Sequence, residues 1–124
     1  MRISPQKILT AAQTNAFLVS NITNILYLTG LQISVGYVLI TKGKTRLFVD
    51  ARYSEAASKS IDPSIQICEP KTLPGLMQRV KECGYEGDTL TCQRFRALKK
   101  SFHKTKLIYK EGIIEEFRRA KHDD

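Results

Sequence analysis

The sequence predicts an α/β domain built on a mixed β-sheet with helices on both faces. Runs typical of strands alternate with helical patterns along the chain, which is the order expected when helices cover a sheet. Two of the strand runs, Val35 to Thr41 and Thr45 to Val49, are separated by only Lys42-Gly43-Lys44. So short a connection requires an antiparallel hairpin. The chain has 124 residues, which suffice for one domain with a continuous core.

The chain begins with a helix, a strand and a second, shorter helix. The Ser4-Pro5 pair is typical of a helix start and predicts a first helix that extends to about Gln13. The apolar run Ala16 to Val19 predicts a strand that is buried on both faces. The segment Asn21 to Thr29 predicts one or two helical turns that end at Gly30.

After the hairpin, the pattern changes again from strand to helix and back. Asp50 is placed to cap a third helix, in which apolar residues recur at helical spacing from Tyr53 to the Asp62-Pro63 break. Ile65 to Cys68 then alternates like a strand.

The strongest helical pattern begins at Thr72. Its apolar stripe has the spacing of one helix face and consists of Leu73, Leu76, Met77, Val80 and Cys83. Gly84 is expected to terminate this helix, and residues 86–90 are expected to form a short strand.

The last third of the chain predicts two further helices around one strand. Phe95, Leu98 and Phe102 define an amphipathic helix. Its outer face is expected to carry the cations Arg94, Arg96, Lys99 and Lys100. Lys106 to Tyr109 predicts the last strand, and a final helix begins at Ile113.

Composition favours a soluble protein of a reducing compartment. The chain is 42% hydrophobic and 26% charged, and no stretch approaches 18 uninterrupted apolar residues. Its first residues lack a secretory signal, so we expect a cytoplasmic protein without a membrane anchor. Cys68, Cys83 and Cys92 are odd in number and lack CxxC spacing, which favours free thiols over a disulfide or a metal site.

The net charge of +8 raises the alternative of a nucleic-acid-binding protein. The cations that would serve it are Arg94, Arg96, Lys99, Lys100, Lys104 and Lys106. Aromatic residues are not interleaved with them as stacking platforms would require. We therefore favour a solvated helix face, or a face that pairs with acidic groups of another domain.

Several separate segments carry a resemblance to one known family. Tyr27-Leu28-Thr29-Gly30 is followed about twenty residues later by Asp50-Ala51-Arg52-Tyr53, and residues 15–21 and 36–41 have a matching hydrophobic pattern. Residues 116–121 look like an Arg-x-x-Lys boundary. In this order, the segments resemble the creatinase/prolidase amino-terminal domain, which precedes a "pita-bread" catalytic domain in Xaa-Pro aminopeptidases and Xaa-Pro dipeptidases.

The resemblance implies a fold and a place in a larger enzyme. The fold is a mixed sheet of about six strands with a ribonuclease H-like outline. Residues 1–124 are expected to form one domain, with residues 113–124 as a boundary helix that leads to a catalytic domain absent from this chain. The resemblance further implies a metallopeptidase homodimer that hydrolyses proline-containing peptides. Its two divalent metal ions, Mn, Co or Zn, would lie in the catalytic domain.

This chain alone is expected to be inactive and to hold no metal. Its only histidines are His103 and His122, and neither has carboxylates at a ligand spacing. GxSxG, HExxH and a glycine-rich phosphate loop are all missing from the sequence.

The loop between Gly30 and Gly36 is the stronger candidate for a functional contact. The resemblance implies that this loop projects toward the active site of a partner subunit and helps to close it. Its candidate residues, for the substrate site or for dimerisation, are Gln32, Ile33, Ser34 and Val35. Exposed apolar side chains in this loop would also suit an interface. The motif residues are expected to be mainly structural, and they are Tyr27, Gly30, Asp50, Arg52 and Tyr53.

A second alternative is an interaction module without catalysis. The resemblance includes a large histone-chaperone subunit, in which the same domain serves binding. Metal ligands in the polypeptide beyond residue 124 would distinguish the peptidase from the module, whereas aminopeptidase and dipeptidase are not distinguished by this half.

Overall fold

A computed structural model of the chain describes residues 3–123, with side chains for residues 3–120. The strands are Ala16–Val19 (β1), Tyr37–Thr41 (β2), Lys44–Phe48 (β3), Ile65–Cys68 (β4), Glu82–Glu86 (β5) and Lys106–Lys110 (β6). The helices are Pro5–Ala12 (α1), Ile22–Thr29 (α2), Ala51–Ser60 (α3), Leu73–Met77 (α4), Cys92–Ser101 (α5) and Ile113–Asp123 (α6). A 3₁₀ turn, Pro70–Thr72, precedes α4.

The six strands form one mixed sheet in the order β4-β3-β2-β1-β5-β6. Strand β2 is antiparallel to both β1 and β3, whereas the other neighbouring pairs are parallel. The β2–β3 hairpin closes at the Thr41–Lys44 pair, so the turn is Lys42-Gly43, where Gly43 has a φ of 79°. The predicted α/β class, the mixed sheet and the hairpin are therefore confirmed.

The strand directions create one edge of the sheet that gathers most of the polar loops. Because β2 alone is reversed, strands β1, β3, β4, β5 and β6 all end at the same edge, where β2 begins. We call this the carboxyl edge. In open α/β sheets, ligand sites lie outside the carboxyl ends of the strands.

Helices cover both faces of the sheet, as predicted. Strand β1 shows why, since Phe17 and Val19 belong to one buried cluster and Ala16 and Leu18 to the other. The alternation of side chains along a strand requires this division. The first face packs against α1, α2, α3 and α6, and the second against α4 and α5.

Local signals place most helix ends where the sequence predicts them. The Asn21 side chain accepts from the backbone N–H of Thr23 and caps α2, which ends at Gly30 with a φ of 78°. The Asp50 side chain caps α3. Ser4 precedes α1 but makes no capping hydrogen bond with its side chain.

The helix predicted from Thr72 to Gly84 is wrong. Helix α4 ends at Met77, and the residues expected at its end form strand β5; the strand expected at residues 86–90 is wrong for the same reason, since β5 ends at Glu86. The apolar stripe misled because Leu73, Met77 and Cys83 do share one buried cluster, although they reach it from two different elements. Pairing with β1 and β6 outweighs the helical periodicity.

Gly84 is a close-approach residue in the sheet and does not terminate a helix. It pairs with Phe17 in the parallel β1–β5 ladder. A Cβ atom at this position would lie 2.8 Å from Cδ1 of Phe17, a ring that is fully buried. Because this ring is packed in the buried core, an added methyl group would have to displace it, so the position favours glycine.

We predict that Gly84→Ala lowers the free energy of unfolding by about 1–3 kcal/mol, because the added methyl group overpacks the sheet against Phe17. Urea unfolding followed by circular dichroism measures the change. Gly75→Ala is the matched control, because Gly75 lies in α4 with nothing within 4 Å of an added Cβ. It should raise the free energy of unfolding by about 0.5–1 kcal/mol. Equal effects of the two substitutions would contradict the assigned close approach.

Candidate functional site

The loop from Gly30 to Gly36 lies at the carboxyl edge, between the end of α2 and the start of β2. Its side chains divide into two sets. Leu31 and Ile33 are buried in the first-face cluster, whereas Gln32, Ser34 and Val35 are exposed. Ile33 therefore differs from the expectation of an exposed apolar loop, because its side chain completes the core. Val35 is 49% exposed and does present an apolar surface to solvent.

The loop returns to the sheet through a close contact at Gly36. A Cβ atom there would lie 2.6 Å from Cδ1 of Ile33 and 2.9 Å from the carbonyl oxygen of Phe48. The backbone oxygen at the end of β3 cannot rotate away as a side chain can. Glycine at this position thus lets the loop lie directly against the sheet.

A hydroxyl contact joins this loop to helix α3. The Tyr53 hydroxyl lies 2.9 Å from Oγ of Ser34, and it accepts a hydrogen bond from the backbone N–H of Ser34 at 3.3 Å. These bonds from Ser34 favour the ionised phenol and lower the pKa of Tyr53. The structure thus brings together two predicted groups, the loop and the Asp50-Ala51-Arg52-Tyr53 motif.

Asp50 and Arg52 form a local ion pair at the start of α3. Asp50 Oδ1 accepts from the backbone N–H of Arg52 at 2.9 Å, and Arg52 Nη2 donates to Asp50 Oδ2 at 2.9 Å. The guanidinium lowers the pKa of Asp50, and the carboxylate raises that of Arg52. The Arg52 guanidinium also lies 5.3 Å from the ring centroid of Tyr53. Both charged side chains face solvent, so this pair organises the helix start while leaving the Arg52 side chain accessible.

The remaining motif residues lie on α2 and support the same region. Tyr27 is partly buried against the first-face cluster. Gly30 ends α2 in the left-handed conformation, with its N–H donating to the carbonyl of Leu26. Gly30 therefore determines where the chain leaves the helix and enters the loop, and Tyr27 packs against the core beside it.

Sequence reasoning missed Glu86, a buried carboxylate at the carboxyl edge. The residue is 3% exposed. Its Oε1 accepts from the backbone N–H groups of Ser20 and Asn21 at 2.8 and 2.9 Å, and its Oε2 accepts from Nδ2 of Asn24 at 2.6 Å. Burial raises the pKa of Glu86 to about 7, although these three donors lower it. No local signal in the sequence marked this residue, because its contacts with Ser20, Asn21 and Asn24 join segments more than sixty positions apart.

The Glu86 side chain lies between the ends of two strands whose following helices pack on opposite faces of the sheet. Strand β1 is followed by a helix on the first face and β5 by a helix on the second, so the crevice between their carboxyl ends is a switch point of the type that binds ligands in open sheets. Here the Glu86 carboxylate already occupies the backbone donors of Ser20 and Asn21. The loop beside Tyr53, by contrast, presents the exposed side chains of Gln32, Ser34 and Val35 at this edge.

The network continues from Glu86 into the final helix. Nδ2 of Asn24 also donates to Oε2 of Glu115 at 3.1 Å, and Nη1 of Arg118 donates to Oδ1 of Asn24 at 2.9 Å. Arg118, which the resemblance placed in a boundary motif, thus contacts the core of the domain. The side chains of Lys121 and His122 lie outside the described part.

The predicted cations, His103 and the cysteines can also be placed in the structure. Arg94 does not point outward as expected, because its guanidinium lies over the ring of Tyr37 and donates to the Tyr37 hydroxyl at 2.8 Å. His103 is exposed.

All three cysteines are free, and burial raises the pKa of Cys83 to about 12. Within residues 3–120, no three His, Cys, Asp or Glu side chains lie close enough together to hold a metal ion. None of the described helices is long and apolar enough to cross a membrane.

Two longer proteins are similar in sequence to part of this chain. A Mycoplasma pneumoniae protein, provisionally named Xaa-Pro aminopeptidase, is 34% identical over 90 residues, which are 68% of this chain and 25% of that protein. A related Mycoplasma genitalium protein is 35% identical over 60 residues, 48% of this chain and 17% of that protein. The chain thus matches about a quarter or less of the length of these relatives.

Solved structures share the fold over most of the chain. The aminopeptidase P of Streptococcus thermophilus has a TM-score of 0.80 and 26% identity, covering 92% of this chain and 91% of that one. The Xaa-Pro dipeptidase of Bacillus anthracis has a TM-score of 0.80 and 25% identity, covering 92% of this chain and 34% of that one. Residues 2–120 match the family model described as the creatinase/prolidase N-terminal domain. The chain therefore belongs to the creatinase/prolidase N-terminal domain family.

Proposed function

We propose that this chain is the non-catalytic amino-terminal domain of a cytoplasmic Xaa-Pro metallopeptidase, an aminopeptidase or a dipeptidase. It contributes contacts of a homodimer and part of the wall around a proline-containing peptide. The catalytic domain that follows supplies hydrolysis and binds the two divalent metal ions, Mn, Co or Zn. Membership of the family and the lengths of its relatives support this division of roles.

The observation that carries the proposal is the anchored loop at the carboxyl edge. Leu31 and Ile33 hold it to the core, and the Tyr53 hydroxyl bonds to Ser34. Gln32 and Val35 remain exposed on the same short segment. A loop that is ordered before it binds loses less conformational entropy on contact with a substrate or subunit.

The exposed side chains suit the wall of a peptide site. The amide of Gln32 can donate to a peptide carbonyl and accept from a peptide N–H. Val35 offers an apolar surface of the kind that lines binding sites and interface cores. The loop therefore orients and shields a peptide, while the bond-breaking groups belong to the catalytic domain.

We predict that the Gln32→Ala/Val35→Ser double variant weakens binding of the peptide substrate. The variant is made in the peptidase chain of which this domain forms the first part. KM for a Xaa-Pro peptide should rise by about fivefold or more, equivalent to about 1 kcal/mol of lost contact. Steady-state kinetics and sedimentation velocity should be measured on the same preparations. Lys42→Ala is the control, because Lys42 is exposed in the hairpin turn at the opposite edge. Unchanged kinetics and an unchanged sedimentation coefficient in the double variant would refute the role of the loop.

We predict that Tyr53→Phe loosens the loop while preserving the fold, because it removes the acceptor for the Ser34 N–H. The amide of Ser34 should exchange with solvent faster, as measured by NMR hydrogen exchange. Tyr109→Phe is the matched control, because the Tyr109 hydroxyl contacts Glu111 away from the loop. If both variants leave the Ser34 amide equally protected, Tyr53 does not anchor the loop.

The 124-residue chain by itself should not cleave Xaa-Pro peptides. Purified chain incubated with Mn²⁺, Co²⁺ or Zn²⁺ and a Xaa-Pro dipeptide should give product at the rate of the buffer alone. Cleavage that increases in proportion to the concentration of the chain would contradict the proposed division of roles.

A further inference from the structure

The amide of Asn24 connects the buried core to the final helix. This side chain is fully buried on α2. Its Nδ2 donates to Glu86 on β5 and to Glu115 on α6, and its Oδ1 accepts from Arg118 on α6. Both hydrogens and the oxygen of a single amide are therefore in use. Glu86, Asn24, Glu115 and Arg118 are called the amide cluster below.

The amide cluster carries an excess of negative charge when both carboxylates are ionised. Glu86 and Glu115 face the amide of Asn24 from different elements, whereas Arg118 is the one guanidinium among the described side chains that contacts it. From β6, Lys110 is the register partner of Glu86, and the described residues show no ion pair between them. From the β1–α2 junction, Glu86 receives only the neutral backbone N–H groups of Ser20 and Asn21. One proton would bring the cluster to neutrality.

We propose that the amide cluster is a proton-linked joint, in which docking of helix α6 onto the core takes up one proton at Glu86. The joint therefore holds α6 more tightly at pH 6 than at pH 8. This inference concerns the described domain alone and does not depend on the proposed peptidase function.

The direction of the pH dependence follows from the environment of Glu86 in the docked state. Burial is the largest effect and the Glu115 charge adds to it, so the pKa rises from 4.5 to about 7 despite three hydrogen-bond donors. Undocking of α6 removes Glu115 and admits water, which returns the pKa toward 4.5. A carboxyl group with a raised pKa in the docked state stabilises docking below pH 4.5, and this contribution is lost as the pH rises through 7.

Hydrogen exchange of the α6 amides tests the joint. Between pH 6 and pH 8, protection of the amides of residues 115–118, relative to an unstructured peptide at the same pH, should fall about tenfold in the natural chain. In Glu86→Gln, protection should not depend on pH, whatever its absolute value. Glu82→Gln is the matched control on the same strand, because Glu82 is exposed, and it should retain the tenfold change. If protection of the α6 amides in the natural chain does not depend on pH, the proposal is overturned.

A direct titration separates this joint from a general effect on stability. In ¹³C-glutamate-labelled chain, the carboxyl of Glu86 should titrate near pH 7, and Glu115→Gln should lower that midpoint because it removes the neighbouring charge. The same variant should shift the pH dependence of α6 protection to lower pH, as reciprocal linkage requires. A Glu86 midpoint within half a unit of 4.5, or one that Glu115→Gln leaves unchanged, would overturn the proposal.

Discussion

The parallel pairing of β5 with β1 is the interaction on which the rest of this domain depends. It aligns Phe17 with Gly84 and Leu18 with Tyr85 in the centre of the sheet. Because β6 pairs only with β5, the same contact also brings in the last strand and, after it, helix α6. It further places Glu86 beside the backbone donors at the end of β1. Without this pairing, β5 and β6 would not join the sheet and the amide cluster would not form.

The sheet directions explain why the polar features gather at one edge. Five strands end at the carboxyl edge, and the reversed strand β2 brings the loop before it to the same place. At the crevice between β1 and β5, the protein closes the edge with its own Glu86 carboxylate. Near β2 and β3, it leaves the edge open and presents Gln32 and Val35 on a loop held by Tyr53. One edge thus combines a filled crevice with an accessible, ordered surface.

Solvent exposure gives the two acidic sites of this edge opposite properties. Asp50 is paired with Arg52 in water, so its pKa falls and its charge caps helix α3. Glu86 is buried, so desolvation opposes its charge even though three donors point at it. The first site is an exposed local support for the loop. The second links helix α6 to the interior and depends on the proton concentration.

Local interactions made much of this fold predictable from the sequence. The hairpin, the capping by Asp50 and the end of α2 at Gly30 each depend on residues a few positions apart. The apolar run of β1 identified a strand buried on both faces for a similar reason, since its own four side chains reveal it. The members of the loop and of the Asp50–Tyr53 motif were also recognisable, but their contact through Ser34 and Tyr53 was not.

By itself, the sequence determined the fold class, the hairpin, most helix ends and the family resemblance, because these follow from residues that are neighbours along the chain. Only the tertiary structure decided that Cys83 and Gly84 lie in a strand, that Ile33 is buried and that Glu86 meets Asn24. The stripe from Leu73 to Cys83 suits a helix and also suits two elements that pack on one face. Contacts with β1, a segment more than sixty residues earlier in the chain, select the second arrangement.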